Sequence, residues 1–295
     1  MFDRIMGKYL VDCGKLQQGQ LSQVYQIQES NRAKLGVIAV AEKLLTVVQA
    51  EEINALQATM DKRFGDLAIE RGYLNQAQVG RLLSLQGNEF LTFTQAIVDR
   101  GFMSLEEVDN AINAFQQEKG LTDEQMSALK TGEMEKIVPI FVDIQDDEYS
   151  QLFTYGVKNF YRLVDVHMSI DKSKAGHAIQ DECVGYQQFN GDLKATVAIL
   201  GKDADIQKVA KRYTKEEFIE TKEDALDAMC ELINCINGLY ATDKSKQGKR
   251  IDLEPPIFIS KFAEVSGEDL HIMPIHSCDS TIYLVVSMRD DVSVK

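Results

Sequence analysis

Three side chains that could take part in catalysis or binding lie at helical spacing in one segment of the chain. They are Asp227, Glu231 and Asn234, and the proline pair Pro255-Pro256 follows further along. Because an α-helix turns by about 100° per residue, the three side chains share one narrow arc. They are therefore expected to project from one exposed ridge, where an acid and an amide could reach into the site of another protein.

The flanking residues predict the helix that carries this ridge. Thr221 with Asp224 three residues later is typical of a capping box, and Gly238 is predicted to end the helix. An Asn in a helix interior competes with the backbone for hydrogen bonds, so stability alone does not account for Asn234. The apolar stripe opposite the ridge consists of Leu226, Met229, Ile233 and Ile236.

This segment resembles a known family. Residues from about 140 to 290 look like the CheX and CheC group of chemotaxis phosphatases, whose helix carries an acidic or Ser residue, then Glu, then Asn three further on, with a Pro past the next loop. Asp227, Glu231, Asn234 and Pro256 match that motif, and the Asn190-Gly191 hairpin upstream also fits.

The resemblance implies an enzyme that dephosphorylates phospho-aspartate on a CheY-like response regulator. Asn234 would hold the attacking water, and Glu231 would pair with the active-site Lys of the receiver. Asp227 and Pro256 would contact the partner. The resemblance implies no cofactor of the chain's own, since Mg²⁺ is expected on the partner receiver.

Two other interpretations of the ridge stay open. Charged residues at this spacing also occur on the solvated face of ordinary surface helices. A non-catalytic adaptor that docks a receiver or motility component would keep the same fold. A second motif copy is found in some relatives, but the equivalent segment, Asp147 to Leu163, offers Glu148, Gln151 and Asn159 without Glu-x-x-Asn, so one site per chain is expected.

Composition bounds the remaining function classes. The chain has 295 residues, 44% hydrophobic content and a net charge of −14, which disfavours nucleic-acid binding. Five cysteines without a Cys-x-x-Cys pair and four scattered histidines predict neither a disulfide framework nor a zinc site. No membrane span or signal peptide is predicted, so a cytoplasmic protein is the simplest expectation. A basic cluster is predicted to lie in a solvated loop, and it comprises Lys244, Lys246, Lys249 and Arg250.

The first part of the chain contains an internal repeat. The segment from Gly7 to Leu16 aligns with Gly65 to Leu74, and weaker copies run from Gly36 to Gln57 and from Thr94 to Phe115. Each copy predicts a short helix, a Gly-containing turn and a longer helix, a piece too small to bury its own apolar face. Four packed helix pairs are therefore expected.

These repeats resemble the N-terminal module of type II secretion and pilus-assembly ATPases, which in some members binds cyclic di-GMP. Arg63, Gly65 and Gln86 fit the ligand pattern of that module. Other copies depart from it, with Ile5 in place of Arg and Lys43 in place of the inner Gly. A cyclic di-GMP sensor is kept as an alternative, beside a docking or regulatory role for the repeats.

The predicted fold class is a two-domain protein, with N-terminal all-α helix-pair repeats and a C-terminal α+β domain of antiparallel sheet and long helices. The predicted boundaries are 1–118 for the helical module, 119–138 for a connector and 139–295 for the CheX-like domain. Pro139 to Ile144 is predicted as a strand or an extended entry, and Asn190-Gly191 as a hairpin turn. Sheet edges in the resembling family often pair between subunits, which implies a homodimer as one assembly.

Overall fold

The computed structural model describes residues 1–28, 33–60, 62–215 and 219–295. The chain divides into two compact units, Phe2–Thr131 and Gly132–Lys295. The finer predicted boundaries, at 118 and 139, stay a prediction. Within the described ranges, no helix is both long enough and apolar enough to cross a bilayer.

The first unit is entirely helical, as predicted. Its described helices form four consecutive pairs, and α9 follows them where a connector was predicted. The helices are α1 Phe2–Asp12, α2 Gln18–Gln28, α3 Leu35–Ala41, α4 Val47–Thr59, α5 Phe64–Glu70, α6 Gln76–Ser84, α7 Glu89–Asp99, α8 Leu105–Lys119 and α9 Asp123–Thr131.

The turn inside each helix pair contains one residue with a positive φ. Three pairs carry a glycine with positive φ there, and the second pair carries Lys43 with φ 57° at the same place. A left-handed residue ends the short helix, and the chain then enters a capped longer helix. The caps of α4, α6 and α8 are capping boxes begun by Thr46, Asn75 and Ser104. The repeat is therefore a folding unit whose turn tolerates Lys at some cost in backbone strain.

Close helix approach explains Gly65. This residue is buried in α5, and a Cβ added to it would lie 2.8 Å from Cγ1 of Val79 on α6. Both helices contribute to one apolar cluster that includes Leu67 and Leu82. Because valine is stiff about χ1, it cannot swing away cheaply.

Replacing Gly65 by Ala is expected to lower the free energy of unfolding by about 1 to 2 kcal/mol, because the added methyl overpacks the α5–α6 contact. Urea unfolding followed by circular dichroism measures this change. Gly80→Ala is the matched control, since Gly80 lies within α6 with nothing within 4 Å of its added Cβ. The control is expected to gain up to about 1 kcal/mol from helix propensity. Equal effects of the two substitutions would contradict this account.

The second unit combines an antiparallel sheet with helices. Its helices are α10 Met134–Ile137, α11 Asp147–Asn159, α12 Asp203–Thr214 and α13 Lys222–Lys246, with a 3₁₀ turn at Val138–Phe141 and a π turn at Phe160–Val164. Its strands are β1 Ser169–Ile170, β2 Lys174–Asp181, β3 Cys183–Gly191, β4 Ala195–Gly201, β5 Ile251–Leu253, β6 Ile257–Ile259, β7 Ala263–Ser277, β8 Ser280–Ser287 and β9 Ser293–Val294.

The central strands of the sheet run in the order β7-β8-β4-β3, and all described pairings are antiparallel. The predicted hairpin is confirmed, since β3 and β4 pair from Phe189↔Ala195 to Cys183↔Gly201. For the segment predicted as a strand or an extended entry, the strand alternative is wrong, because Pro139 sits in the first turn of the 3₁₀ helix, where its missing N–H costs nothing. The predicted fold class is confirmed for both parts of the chain.

The helix α13 runs past Gly238 to Lys246, so the predicted end at Gly238 is wrong. Tertiary contacts override the glycine. Tyr240 is fully buried and its hydroxyl donates to Glu148 Oε2 on α11 at 2.7 Å. The Lys244 ammonium, also buried, pairs with the same carboxylate, so the prediction of a solvated loop is wrong for Lys244.

Glu148 is held by three donors. Burial works to raise the pKa of this carboxyl, but hydrogen bonds from Lys244, Lys249 and Tyr240 outweigh it and lower the pKa to about 2. Because the pKa of Glu148 is lowered in the folded state, its ionised carboxylate stabilises the fold above the ordinary value of 4.5. This contribution is lost as the pH falls towards 2. The ion pair therefore fastens the distal half of α13 to α11.

Glu148→Gln is expected to lower the free energy of unfolding by about 3 kcal/mol near neutral pH, because it leaves the buried Lys244 ammonium without a counter-charge. The difference from wild type should shrink as the pH falls from about 5 towards 2, where wild type also protonates. Urea titrations across this range measure it. The double variant Glu148→Leu with Lys244→Met should recover most of the loss, and a pH-independent difference would contradict the assignment.

Candidate functional site

The predicted ridge lies on the solvent-facing side of α13. Asp227, Glu231 and Asn234 are all exposed, whereas the apolar stripe beneath them is buried. The side-chain carboxylates of Asp227 and Glu231 make no hydrogen bond or ion pair with any residue that the structure describes. The ridge thus presents two uncompensated carboxylates and one carboxamide.

A shallow depression of about 470 Å³ brings the ridge together with the proline loop. Of the predicted residues, Asp227, Glu231, Asn234 and Pro256 all line it. The full lining is Asp227, Cys230, Glu231, Asn234, Pro256, Ile257 and Phe258. The sequence motif therefore converges on one concave surface formed by α13 and the start of β6.

Asn234 is anchored from below by a buried glutamine on β3. Gln187 is 1% exposed, and its Nε2 donates to Asn234 Oδ1 at 2.8 Å. The same Nε2 donates to the main-chain oxygen of Glu254 at 2.7 Å. On its other side, Gln187 Oε1 accepts from Nδ2 of the fully buried Asn237 at 2.9 Å. These contacts join β3, α13 and the proline loop in one network.

The main-chain carbonyl in this network decides how the amides are oriented. A carbonyl only accepts, so the group of Gln187 that faces Glu254 must be Nε2. The second hydrogen of Nε2 then faces Asn234, which must present Oδ1 to it. Since leaving a buried polar group unpaired costs about 1–3 kcal/mol, this orientation of Gln187, and with it that of Asn234, is favoured.

The proline pair shapes the edge of the sheet beside the site. Strand β6 pairs with β3 over Val184–Tyr186, and β5 pairs with β3 over Phe189–Gly191. Between them, Pro255 and Pro256 have no N–H to donate, which interrupts the strand at the outer edge. The Glu254 amide bonds Gln188 O at 3.0 Å, so its carbonyl is held beside Gln187.

Two cysteines flank the ridge with opposite exposure. Cys230 is buried against β3, and burial followed by the Asp227 carboxylate raises the pKa of its thiol to about 11. Cys235 is exposed, with its Sγ 3.9 Å from the Tyr213 hydroxyl of α12. Burial, followed by this contact, raises the pKa of Tyr213 to about 12.

Two of the three residues predicted for cyclic di-GMP, Gly65 and Gln86, make structural contacts within the first unit. Gly65 is buried against Val79 and Gln86 Nε2 donates to Ala33 O at 3.1 Å, while Arg63 is exposed at the start of α5. These contacts favour the structural interpretation of the pattern. Nucleotide binding stays a prediction.

Sequence reasoning assigned no histidine to catalysis, and the most buried one, His271, is enclosed by carboxylates. Its Nδ1 lies 2.7 Å from Asp143 Oδ1 and its Nε2 lies 3.1 Å from Asp269 Oδ1. In the part of the chain that the structure describes, no group of three or more His, Cys, Asp or Glu residues is arranged to hold a metal ion.

The sequence analysis assigned no site role to Gln187, Asn237 or the carbonyl of Glu254. One signal was available for Gln187. It alternates with Phe189, which is buried, so it is a polar residue on the inward-facing side of a strand. Because inward polar residues need partners, such a position indicates a specific network. A main-chain carbonyl leaves no sequence signal.

One family model matches this part of the chain. It describes the chemotaxis phosphatase CheX. The match spans residues 183–275, which include every residue of the network and the ridge. The predicted resemblance of the C-terminal half is thereby confirmed over these residues, and the resemblance predicted for the N-terminal repeats stays a prediction.

Several solved structures are similar to about half of the chain. Chemotaxis protein CheX from Desulfovibrio desulfuricans is 11% identical at a TM-score of 0.43, covering 49% of this chain and 100% of its own. A CheC-like superfamily protein from Shewanella sp. PV-4 is 19% identical at 0.42, covering 48% and 97%. CheX of Borrelia burgdorferi, in a complex with CheY, BeF₃ and Mg²⁺, is 19% identical at 0.40, covering 50% and 98%. No curated protein matches the chain.

Thiol labelling tests the exposure of the ridge. A maleimide applied to the folded protein near neutral pH is expected to modify Cys235 and leave Cys230 unmodified until the protein is unfolded in urea. Peptide mass mapping after digestion distinguishes the two sites, and Cys13, which is also exposed, serves as the internal positive control. Equal labelling of Cys230 and Cys235 in the folded protein would contradict this placement.

Proposed function

We propose that the C-terminal domain accelerates hydrolysis of phospho-aspartate on a CheY-like receiver. The observation that carries the proposal is the exposed Asn234 carboxamide, anchored by Gln187 and set beside Glu231 in one depression. The match to the chemotaxis phosphatase family over residues 183–275 supports the same reaction class.

Hydrolysis of an acyl phosphate depends more on positioning the attacking water than on a nucleophile supplied by the protein. A water oxygen forms a bond to phosphorus while the bond from phosphorus to the aspartate oxygen breaks. The products are inorganic phosphate and the free carboxylate of the receiver, and the water proton passes to phosphate or solvent. Because the transition state is loose, holding the water in line supplies much of the acceleration.

Each ridge residue has a role in this proposal. Asn234 orients the water, while Glu231 attracts a lysine ammonium of the receiver. Asp227 and Pro256 border the contact. We carry over the partner class of the Borrelia complex, a CheY receiver with Mg²⁺, so the metal that neutralises the phosphoryl oxygens arrives with the partner.

Phosphate release from an acetyl-phosphate-charged receiver tests the proposal. Asn234→Ala is expected to lower kcat about 100-fold because the water loses its position. Glu231→Ala is expected to raise KM about tenfold or more through loss of the interfacial ion pair. Ser245→Ala, an exposed change on the same helix, is the control and should match wild type.

The outcome also separates the enzyme from the adaptor. Receiver binding without any acceleration over the receiver's own decay would replace the enzyme by a non-catalytic adaptor. Equal acceleration by wild type and Asn234→Ala would remove Asn234 from the mechanism.

A further inference from the structure

The amide network places one more residue behind the proposed chemistry. Gln187 is buried beneath the ridge, where it is flanked by Asn234, Asn237 and the Glu254 carbonyl. It does not line the depression. Any effect it has on a partner must therefore act through the groups that it holds, Asn234 and the proline loop.

We propose that Gln187 is a positioning residue that sets which end of the Asn234 carboxamide faces the partner. The two ends of a carboxamide are nearly equal in size, so packing alone does not choose between them. Hydrogen-bond polarity chooses instead. Gln187 Nε2 has two hydrogens, and both are directed at acceptors, Glu254 O and Asn234 Oδ1.

Reversal of Gln187 is opposed by the Glu254 carbonyl. It would turn Oε1 towards this carbonyl, which can only accept, whereas Asn234 and Asn237 could each reverse their own amides in response. The contact with Asn237 is buried and the contacts with Glu254 and Asn234 are partly buried, so a lost hydrogen bond here costs more than it would in open solvent. The orientation of the Gln187 amide, and through it that of Asn234, is thus fixed by a main-chain carbonyl that can only accept.

This orientation decides which hydrogen-bonding groups of Asn234 are left for a partner. Its Oδ1 keeps one lone pair beyond the bond from Gln187, and its Nδ2 has no acceptor among the described residues. The remaining lone pair can accept a hydrogen bond from the attacking water, while Nδ2 can donate a hydrogen bond to a phosphoryl oxygen. With the amide reversed, Oδ1 would face away from Gln187 towards the phosphoryl oxygens and repel them.

Gln187→Glu is the sharpest test because it is nearly isosteric and replaces the donor by an acceptor. Asn234 should then turn its Nδ2 inward to donate to the new carboxylate. Gln187→Met removes the donor without adding charge and serves as the second variant if the first does not fold. Gln188→Glu is the matched control, since Gln188 neighbours Gln187 and instead donates to Thr196 on β4.

Two readouts are measured on the full-length protein. The first is the side-chain amide signal of Asn234 in ¹⁵N-resolved NMR, assigned by its loss in Asn234→Ala. Its hydrogens should exchange with water several-fold more slowly in Gln187→Glu than in wild type, and remain unchanged in Gln188→Glu. The second is phosphate release from a charged receiver, where the two Gln187 variants should lower kcat about tenfold with KM within about twofold of wild type.

The second readout rests on the proposed function, and the first does not. An unchanged amide signal in a folded Gln187→Glu protein overturns the positioning role, whatever the activity. If wild type is active and both folded Gln187 variants keep its kcat, the inference fails while the proposed function stands. If wild type is inactive on receivers, the proposed function fails and the NMR result alone decides the role of Gln187.

Discussion

The main-chain carbonyl of Glu254 accepts a hydrogen bond from Gln187 Nε2, and because a carbonyl can only accept, that contact fixes the orientation of the Gln187 amide. Gln187 Nε2 in turn donates to Asn234 Oδ1, and Gln187 Oε1 accepts from Nδ2 of Asn237. The strand, the long helix and the proline loop are tied together at this point. The candidate site depends on this constraint because a freely rotating Asn234 would present either end of its amide to a partner.

Rigidity of the supporting helix is the second requirement. Helix α13 is secured at its start by the Thr221 and Asp224 capping box and at its far end by the pairing of Lys244 with Glu148. The ridge lies between these two fixed points. The polar groups that hold the helix are paired internally, whereas Asp227 and Glu231 have no partner among the described residues, which leaves their charge for intermolecular use.

The sequence predicted the fold class, the helix pairs of the first unit, the β3–β4 hairpin and the start of α13, because these depend on local signals such as caps, turns and periodicity. The motif spacing also predicted that Asp227, Glu231 and Asn234 share a face. The end of α13 was not predictable, since contacts of Tyr240 and Lys244 with a distant helix outweigh Gly238.

Strand β2 was missed because its mostly exposed residues carry no alternating apolar pattern. The anchoring of Asn234 was missed because it depends on a main-chain oxygen far along the chain.

A crystal structure of this protein with a receiver trapped by beryllofluoride, a phosphoryl analogue, and Mg²⁺ would show directly whether Asn234 reaches the phosphoryl group. We expect the Asn234 carboxamide to lie within hydrogen-bond distance, about 3 Å, of the analogue or of a water in line with it. Gln187 should keep its contact with Asn234 Oδ1 in that complex. A receiver bound at another surface, or Asn234 turned away from the trapped group, would contradict the account.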